Sequence, residues 1–319
     1  MQSLERVGTI CLVLAAFVTL VAAATFAFLN SIPVSLNTHG RNVMLLAPEL
    51  YNYNMEILSS KYPINITPAG WVFSVLWPLI YLWNFLSASY MVASLCFKAN
   101  KSPILRPKPL LPKSFLCGWI LTFGSLVGWL FSFDREIFEL SATFLLLSTF
   151  ASYFSLGASY KAIEEDKRYL QERCKAMLHL ARIMVHNGLA VLSTWITLAS
   201  LLNINVAVCY YNTPNSETPI SRGNISTQAS GNFLLGVSLL LIIVWFMLEN
   251  FVFEKYCRYT LTIYPTLTFA LSGLVLRNWR VPFETTNSVL GCTALAASSL
   301  AMVVRTFLVV IRHRKERYE

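Results

Sequence analysis

GWVFSVLWPLIYLWNFLSASYMVASLCF, residues 70–97, contains no Asp, Glu, Lys or Arg from end to end. A helix rises about 1.5 Å per residue, so about 20 such residues cross a hydrocarbon core of about 30 Å. The stretch therefore reads as a bilayer-spanning helix. On either side of it lie further apolar runs of similar length, at approximately 8–29, 114–133, 138–160, 178–202, 231–253, 259–277 and 286–310. The expected fold is all-α, a polytopic transmembrane bundle of about eight spans. The runs at 138–160 and 259–277 follow their predecessors so closely, across Asp134 to Glu136 and Glu254 to Arg258, that each pair is also compatible with a re-entrant hairpin.

Composition points the same way. Of the 319 residues, 55% are apolar and 13% charged, against roughly 45–50% and about 25% in soluble domains. The net charge of +9 would raise nucleic acid as a partner of a soluble protein. Here no basic helix or aromatic-basic repeat accompanies it, so nucleic acid is set aside. The seven cysteines are scattered without a C-x-x-C pair, which excludes the usual zinc and redox motifs and leaves no metal site in the expectation.

Instead, the basic residues are sorted by loop. Lys98, Lys101, Arg106, Lys108 and Lys113 follow the second span, and Lys161, Lys167, Arg168, Arg173 and Lys175 follow the fourth. Arg312, Arg314, Lys315 and Arg317 form the tail. Lys and Arg favour the cytoplasmic side, so both termini are expected in the cytoplasm of a plasma membrane or endomembrane protein, with loops 30–69 and 203–230 exoplasmic. The glycosylation pattern N-x-[ST] occurs at Asn65 and Asn224, both in those exoplasmic loops. The first apolar run exceeds the usual 7–15 residues of a signal-peptide core, so a retained first helix is expected. Arg182 and Arg305, near cytoplasmic helix ends, are expected to snorkel to the headgroups.

Two aromatic signatures stand out. In the second span, Pro68 precedes Trp71, Trp77, Ile80 and Tyr81; at about 100° per residue Trp77 and Tyr81 share a face, with Trp71 about 80° from Tyr81. In the fifth span, Trp195, Ala199, Leu202 and Asn203 lie on one face. Small Ala199 permits close helix approach, and Asn203 is placed to hydrogen-bond across it.

Together these signatures resemble the translocator protein, or tryptophan-rich sensory protein (TspO/MBR), family. Its second helix carries a Pro followed by W-x-x-x-x-x-W-x-x-[LI]-Y, and its fifth W-x-x-x-A-x-x-L-N. Trp129 and Phe133 fit its third-helix pattern, where Leu126 replaces an expected Asn. The resemblance covers residues 1–205 as a five-helix membrane unit. Residues 206–319 add an exoplasmic loop, three more helices and a basic tail, as in longer animal relatives. It implies a bundle around an apolar, aromatic-lined pocket closed on one side by the loop between helices 1 and 2. The implied ligand is small and hydrophobic, such as a porphyrin or sterol, bound by a receptor, sensor or carrier. The lining residues are then Trp71, Trp77, Tyr81, Trp195 and Asn203. The family's sterol-contact segment is missing, because Ile204 to Tyr211 contains no Arg or Lys.

Intramembrane polar groups are costly and need a reason. Arg182, His186 and Asn187 form a cluster in the fifth span, read either as interhelical hydrogen bonding or as a ligand- or proton-carrying site. Glu249 is expected to pair with Lys255 or Arg258 at the interface, and Pro265 to kink the seventh helix. No H-E-x-x-H, G-x-S-x-G or phosphate-cradling glycine loop is present, so the expectation is a non-enzymatic protein requiring no cofactor. Two alternatives remain: a secondary transporter or channel, and a scaffold whose basic face recruits partners or anionic lipid. The partners expected are the bilayer and a small hydrophobic ligand, with a homo-oligomer left open.

Overall fold

The computed structural model describes residues 2–31, 33–38, 41–45, 50–53, 55–210, 226–279 and 286–318. Helix α1 (Gln2–Ser31) leads into a short antiparallel ribbon, β1 (Pro33–Thr38) and β2 (Arg41–Leu45), in which Leu36 pairs with Val43. The all-α expectation had no place for this ribbon; it lies in the first loop, outside the spans. Then come α2 (Met55–Lys61), α3 (Gly70–Ala93), α4 (Lys113–Asp134), α5 (Phe138–Glu165), α6 (Lys167–Arg173) and α7 (Lys175–Leu180). A π-helical stretch, Ala181–His186, joins α7 to α8 (Asn187–Cys209). Helix α9 (Thr227–Met247) continues through a second π-helical stretch, Leu248–Val252, to α10 (Glu254–Cys257). Helices α11 (Ile263–Asn278) and α12 (Thr286–Tyr318) complete the described chain.

Among the described residues, seven helical stretches are long and apolar enough to cross a membrane. The expected seventh span of the eight, now α11, has 16 residues, or about 24 Å of rise, and falls short by length. Its ends nevertheless reach opposite ends of the bundle. Thr262, at its start, donates to the Asn187 carbonyl at 3.0 Å, and Arg277, at its finish, donates to the Pro68 carbonyl at 3.0 Å. Of the two suspected pairs, α4 and α5 have 22 and 28 residues, each long enough to cross, and form a tight hairpin whose turn places Glu136 at φ 58°.

Five helices close into a ring in the order α1, α3, α8, α5, α4. Val13, Ala16, Leu20 and Ala23 of α1 are buried in it, and Trp119 donates to the Ala16 carbonyl at 3.2 Å. The first helix is thus an integral stave of the ring. Helices α9, α11 and α12 form a second unit with its own core of Ile242, Tyr264, Leu267, Leu271, Ala294 and Ala301. It docks on α8 and α3. A Cβ at Gly273 of α11 would lie 2.1 Å from Val72 Cγ2; only glycine lets the two helices approach this closely.

The second unit corrects three expectations. Arg305 does not snorkel: it is 2% exposed and its Nε lies 3.1 Å from Glu249 Oε1. Glu249 pairs with it across α9 and α12 rather than with Lys255 or Arg258, and accepts from the Tyr264 hydroxyl at 2.7 Å. Such a pair survives in a low dielectric because neighbours complete its hydrogen bonding, here Asn250 Oδ1 at 2.9 Å and the Cys257 carbonyl at 3.2 Å. Pro265 does not interrupt a helix, since α11 begins at Ile263 and a first-turn residue has no N–H partner to lose.

Removing one member of a buried pair strands the other charge, at a cost of about 3–5 kcal/mol. Arg305→Leu should therefore lower the thermal midpoint of the detergent-solubilised protein sharply, and Glu249→Leu/Arg305→Leu should recover most of the loss. Equal destabilisation by the single and double variants would show that the pair contributes nothing through its charge.

Candidate functional site

The aromatic signatures converge at the centre of the ring. Trp77 stacks on Tyr81 with ring centroids 5.6 Å apart and on Trp129 of α4 at 5.6 Å, the planes within 20° and 21°. Trp195 of α8 meets Trp77 edge-on at 6.1 Å and Phe73 at 5.3 Å. Asn203 secures the far side: its Oδ1 accepts from Trp129 Nε1 at 3.2 Å and from Ser141 Oγ of α5 at 2.8 Å. Four helices thus meet through one amide and five rings.

Of the residues expected to line the pocket, Trp77, Tyr81, Trp195 and Asn203 are brought together. Trp71 is not. It is 41% exposed and packs edge-on against Phe269 of α11 at 5.0 Å, so it belongs to the docking of the second unit. Trp129, left out of the expected lining, is central; its match to the third-helix pattern was the available signal. The rings touch one another between α3 and α8, with Trp77 and Tyr81 partly buried. A void of about 30 Å³ lies outside the ring between α8, α9 and α11, bordered by Trp195, Leu202, Leu235 and Ala270. That is room for little more than a water molecule. Among the described residues Trp195 Nε1 has no hydrogen-bond partner.

Over the ring end opposite the basic loops, residues 50–53 and 55–66 form a lid. Tyr51 stacks on Phe131 at 5.5 Å with planes 7° apart, and its hydroxyl donates to the Phe26 carbonyl at 2.9 Å. Burial, with Asp134 beside it, pushes the Tyr51 hydroxyl well above its usual range, so it remains a donor. The Asp134 carboxylate, at the end of α4, accepts the backbone N–H groups of Asn52 and Tyr53 at 2.9–3.1 Å. Lys61 Nζ lies 2.5 Å from Glu136 Oε1. Tyr62 packs edge-on against Phe138 at 4.7 Å and Tyr210 at 5.1 Å, and Tyr210 donates to the Pro63 carbonyl at 2.7 Å. Burial and then Glu136 push the Tyr62 hydroxyl up to about 12.

The polar cluster of the fifth span is engaged within the protein. His186 Nε2 is 2.7 Å from Ser159 Oγ, which donates to the Leu110 carbonyl at 2.8 Å. Asn187 Nδ2 donates to the Arg182 and Tyr259 carbonyls at 2.8 and 3.0 Å, and its Oδ1 accepts from the Leu261 N–H at 2.8 Å. Arg182 lies 4.0 Å from the centre of the Tyr259 ring, a cation–π contact. Among the described residues no group of His, Cys, Asp or Glu is placed to hold a metal ion.

For glycosylation, Asn65 sits half-buried in the turn before α3, and Thr67 of its pattern is 6% exposed, its hydroxyl donating to the Ile64 carbonyl at 3.2 Å. Asn224 lies outside the described residues.

The family model described as TSPO-like protein matches residues 9–307. The chain belongs to this family. The match runs from α1 through most of α12, so the second unit lies within this TSPO-like chain's matched range beside the ring. Neither a curated protein nor a solved structure matches it.

Asp134 is the acceptor for two lid amides, and hydrogen bonds to a charged group contribute about 1.5–3 kcal/mol. Asp134→Ala is expected to raise amide exchange at Asn52 and Tyr53 by about ten- to a hundredfold while leaving α3 protected. Unchanged exchange would mean that aromatic packing alone holds the lid.

Proposed function

We propose that this membrane protein binds a small, flat hydrophobic ligand in the ring beneath the lid, as a receptor, sensor or carrier without catalytic chemistry. One observation carries the reading: Trp77 is stacked near-parallel with two rings, Tyr81 of its own helix and Trp129 of α4. A planar ligand such as a porphyrin enters by parting this stack and taking the place of one ring against another. The indole N–H of Trp129 and the amide of Asn203 supply polar groups at its edge, in the manner of apolar pockets with a few placed hydrogen-bonding partners. Because the rings already contact one another, binding requires an opening motion, and the lid is the element built to provide it. A bound porphyrin is cargo in this reading, and the protein needs no cofactor.

The hints toward a transporter or channel have structural partners instead. His186 and Asn187 complete interhelical hydrogen bonds, and Pro265 occupies a first turn. With the basic end taken as cytoplasmic, the lid faces the exoplasm, and ligand enters from that side or from the adjoining leaflet.

Protoporphyrin titrated into the purified protein should quench tryptophan fluorescence saturably. A stacked aromatic pair contributes about 0.5–1.5 kcal/mol, so Trp77→Phe/Trp129→Phe should weaken binding by about three- to tenfold and remove most of the quenching. Trp71→Phe should leave both unchanged. Equal effects of the two changes, or no saturation, would place the ligand elsewhere.

A further inference from the structure

At the basic end of the bundle a cavity of about 430 Å³ opens between α7 and the last turns of α12, lined by His179, Tyr259, Val309, Val310, His313 and Arg314. Its volume is in the range of ligand pockets, about 300–1,000 Å³. Three of its lining residues, two imidazoles and one guanidinium, are basic, and no carboxylate is among them. The nearest acidic side chain along α10, Glu254, is paired with Arg258 and Arg312.

The cavity is held in shape by Tyr259. Its hydroxyl is hydrogen-bonded to His313 Nδ1 at 3.0 Å, its ring meets the His313 ring edge-on at 5.9 Å, and the Arg182 guanidinium sits over it at 4.0 Å. Its carbonyl is fixed by Asn187. Pre-shaped basic sites of this kind lose little on binding an anion.

One turn earlier the same face of α12 is apolar. Val309 is buried, while Val310 is 46% exposed and is followed by Ile311, 60% exposed; Ile183, one turn after His179, is 55% exposed. The apolar wall thus continues into lipid-facing surface. A freely soluble anion gains nothing from such a wall, and an uncharged lipid gains nothing from the basic rim.

We propose that this cavity binds the phosphate group of an anionic phospholipid. Arg314 and the His179 and His313 imidazoles hold the headgroup, while Val309 and Val310 lie against the first carbons of an acyl chain. Basic pockets between transmembrane helices recognise lipid anions in this way, the guanidinium forming charge-assisted bonds to phosphate oxygens. The site is separate from the aromatic ring and does not depend on a ligand there.

The test is native mass spectrometry of the full chain in detergent, titrated with dioctanoyl phosphatidic acid. One lipid should bind saturably. Arg314→Gln and His179→Gln, both at exposed positions where the fold is not at stake, should each weaken binding by at least threefold, and together by at least tenfold. Trp77→Phe/Trp129→Phe should bind as the parent does. Equal binding of dioctanoyl phosphatidylcholine, or an unchanged affinity in the double variant, would overturn the proposal. Displacement of the lipid by millimolar inorganic phosphate would overturn its lipid part, leaving a site for soluble anions.

Discussion

A π-helical turn releases backbone carbonyls, and in a bilayer a released carbonyl must find a donor within the protein. The stretch Ala181–His186 is where this constraint organises the molecule. Trp83 Nε1 donates to the Ile183 carbonyl at 3.2 Å, Ser87 Oγ to Met184 at 2.7 Å, and Asn84 Nδ2 to Gly188 at 3.2 Å. These three α3 side chains fasten α3 to α8 and so close the ring. On its other side the same stretch, through Asn187, fastens the turn that begins α11. Gly188 allows the approach, since a Cβ there would lie 2.7 Å from Trp83 Cδ1. Both units of the fold therefore hang from about two turns of one helix.

The spans were legible because hydrophobic length is a one-dimensional property. Charge sorting was legible in part: the basic loops do share one end, as the ion pair between Arg106 and Asp166 and the contact of Arg312 with Glu254 require. What could not be read were the partners of buried charges. Arg305 lies close enough to a helix end to snorkel by sequence, and only the packing of α9 against α12 reveals that Glu249 is in reach. Pro265 was misjudged for a related reason: the apolar run extends back to Tyr259, while the helix begins four residues later, after the Asn187 clamp. An apolar run reports what lies in hydrocarbon, not where helical hydrogen bonding starts.

The site was legible as a set of faces but not as a set of distances. Periodicity placed Trp77 with Tyr81 and Trp195 with Asn203, and those pairs do share the ring interior. Periodicity also set Trp71 off by about 80°, and that offset is what sends it to α11. Whether facing indoles enclose a cavity or touch depends on the separation of the helix axes. That separation is fixed by Ala199, Gly188 and the side-chain bonds to α8, none of which a helical projection displays. The lid is a sharper case: Asp134 and Glu136 read as turn residues, and their role appears only when Asn52, Tyr53 and Lys61 come over them.

The second unit changes how the ring can be entered. Packing α11 across Trp71 and Val72 and α9 along α8 covers the outer side of the seam between α3 and α8. In a bare five-helix ring that seam would face lipid and offer an apolar ligand a lateral route to Trp77 and Trp195. Here such a ligand would first have to separate two helical units joined through Gly273 against Val72, the Asn187 amide, and the Arg277 guanidinium on the Pro68 carbonyl. Two approaches remain: through the lid, whose fastenings are a few polar bonds and ring contacts, and past α1, which has the smallest buried share of the apolar helices. If a ligand binds in the ring as proposed, the C-terminal helices restrict access to it, and the lid end, clamped by reversible charge-assisted bonds, is the end that can open.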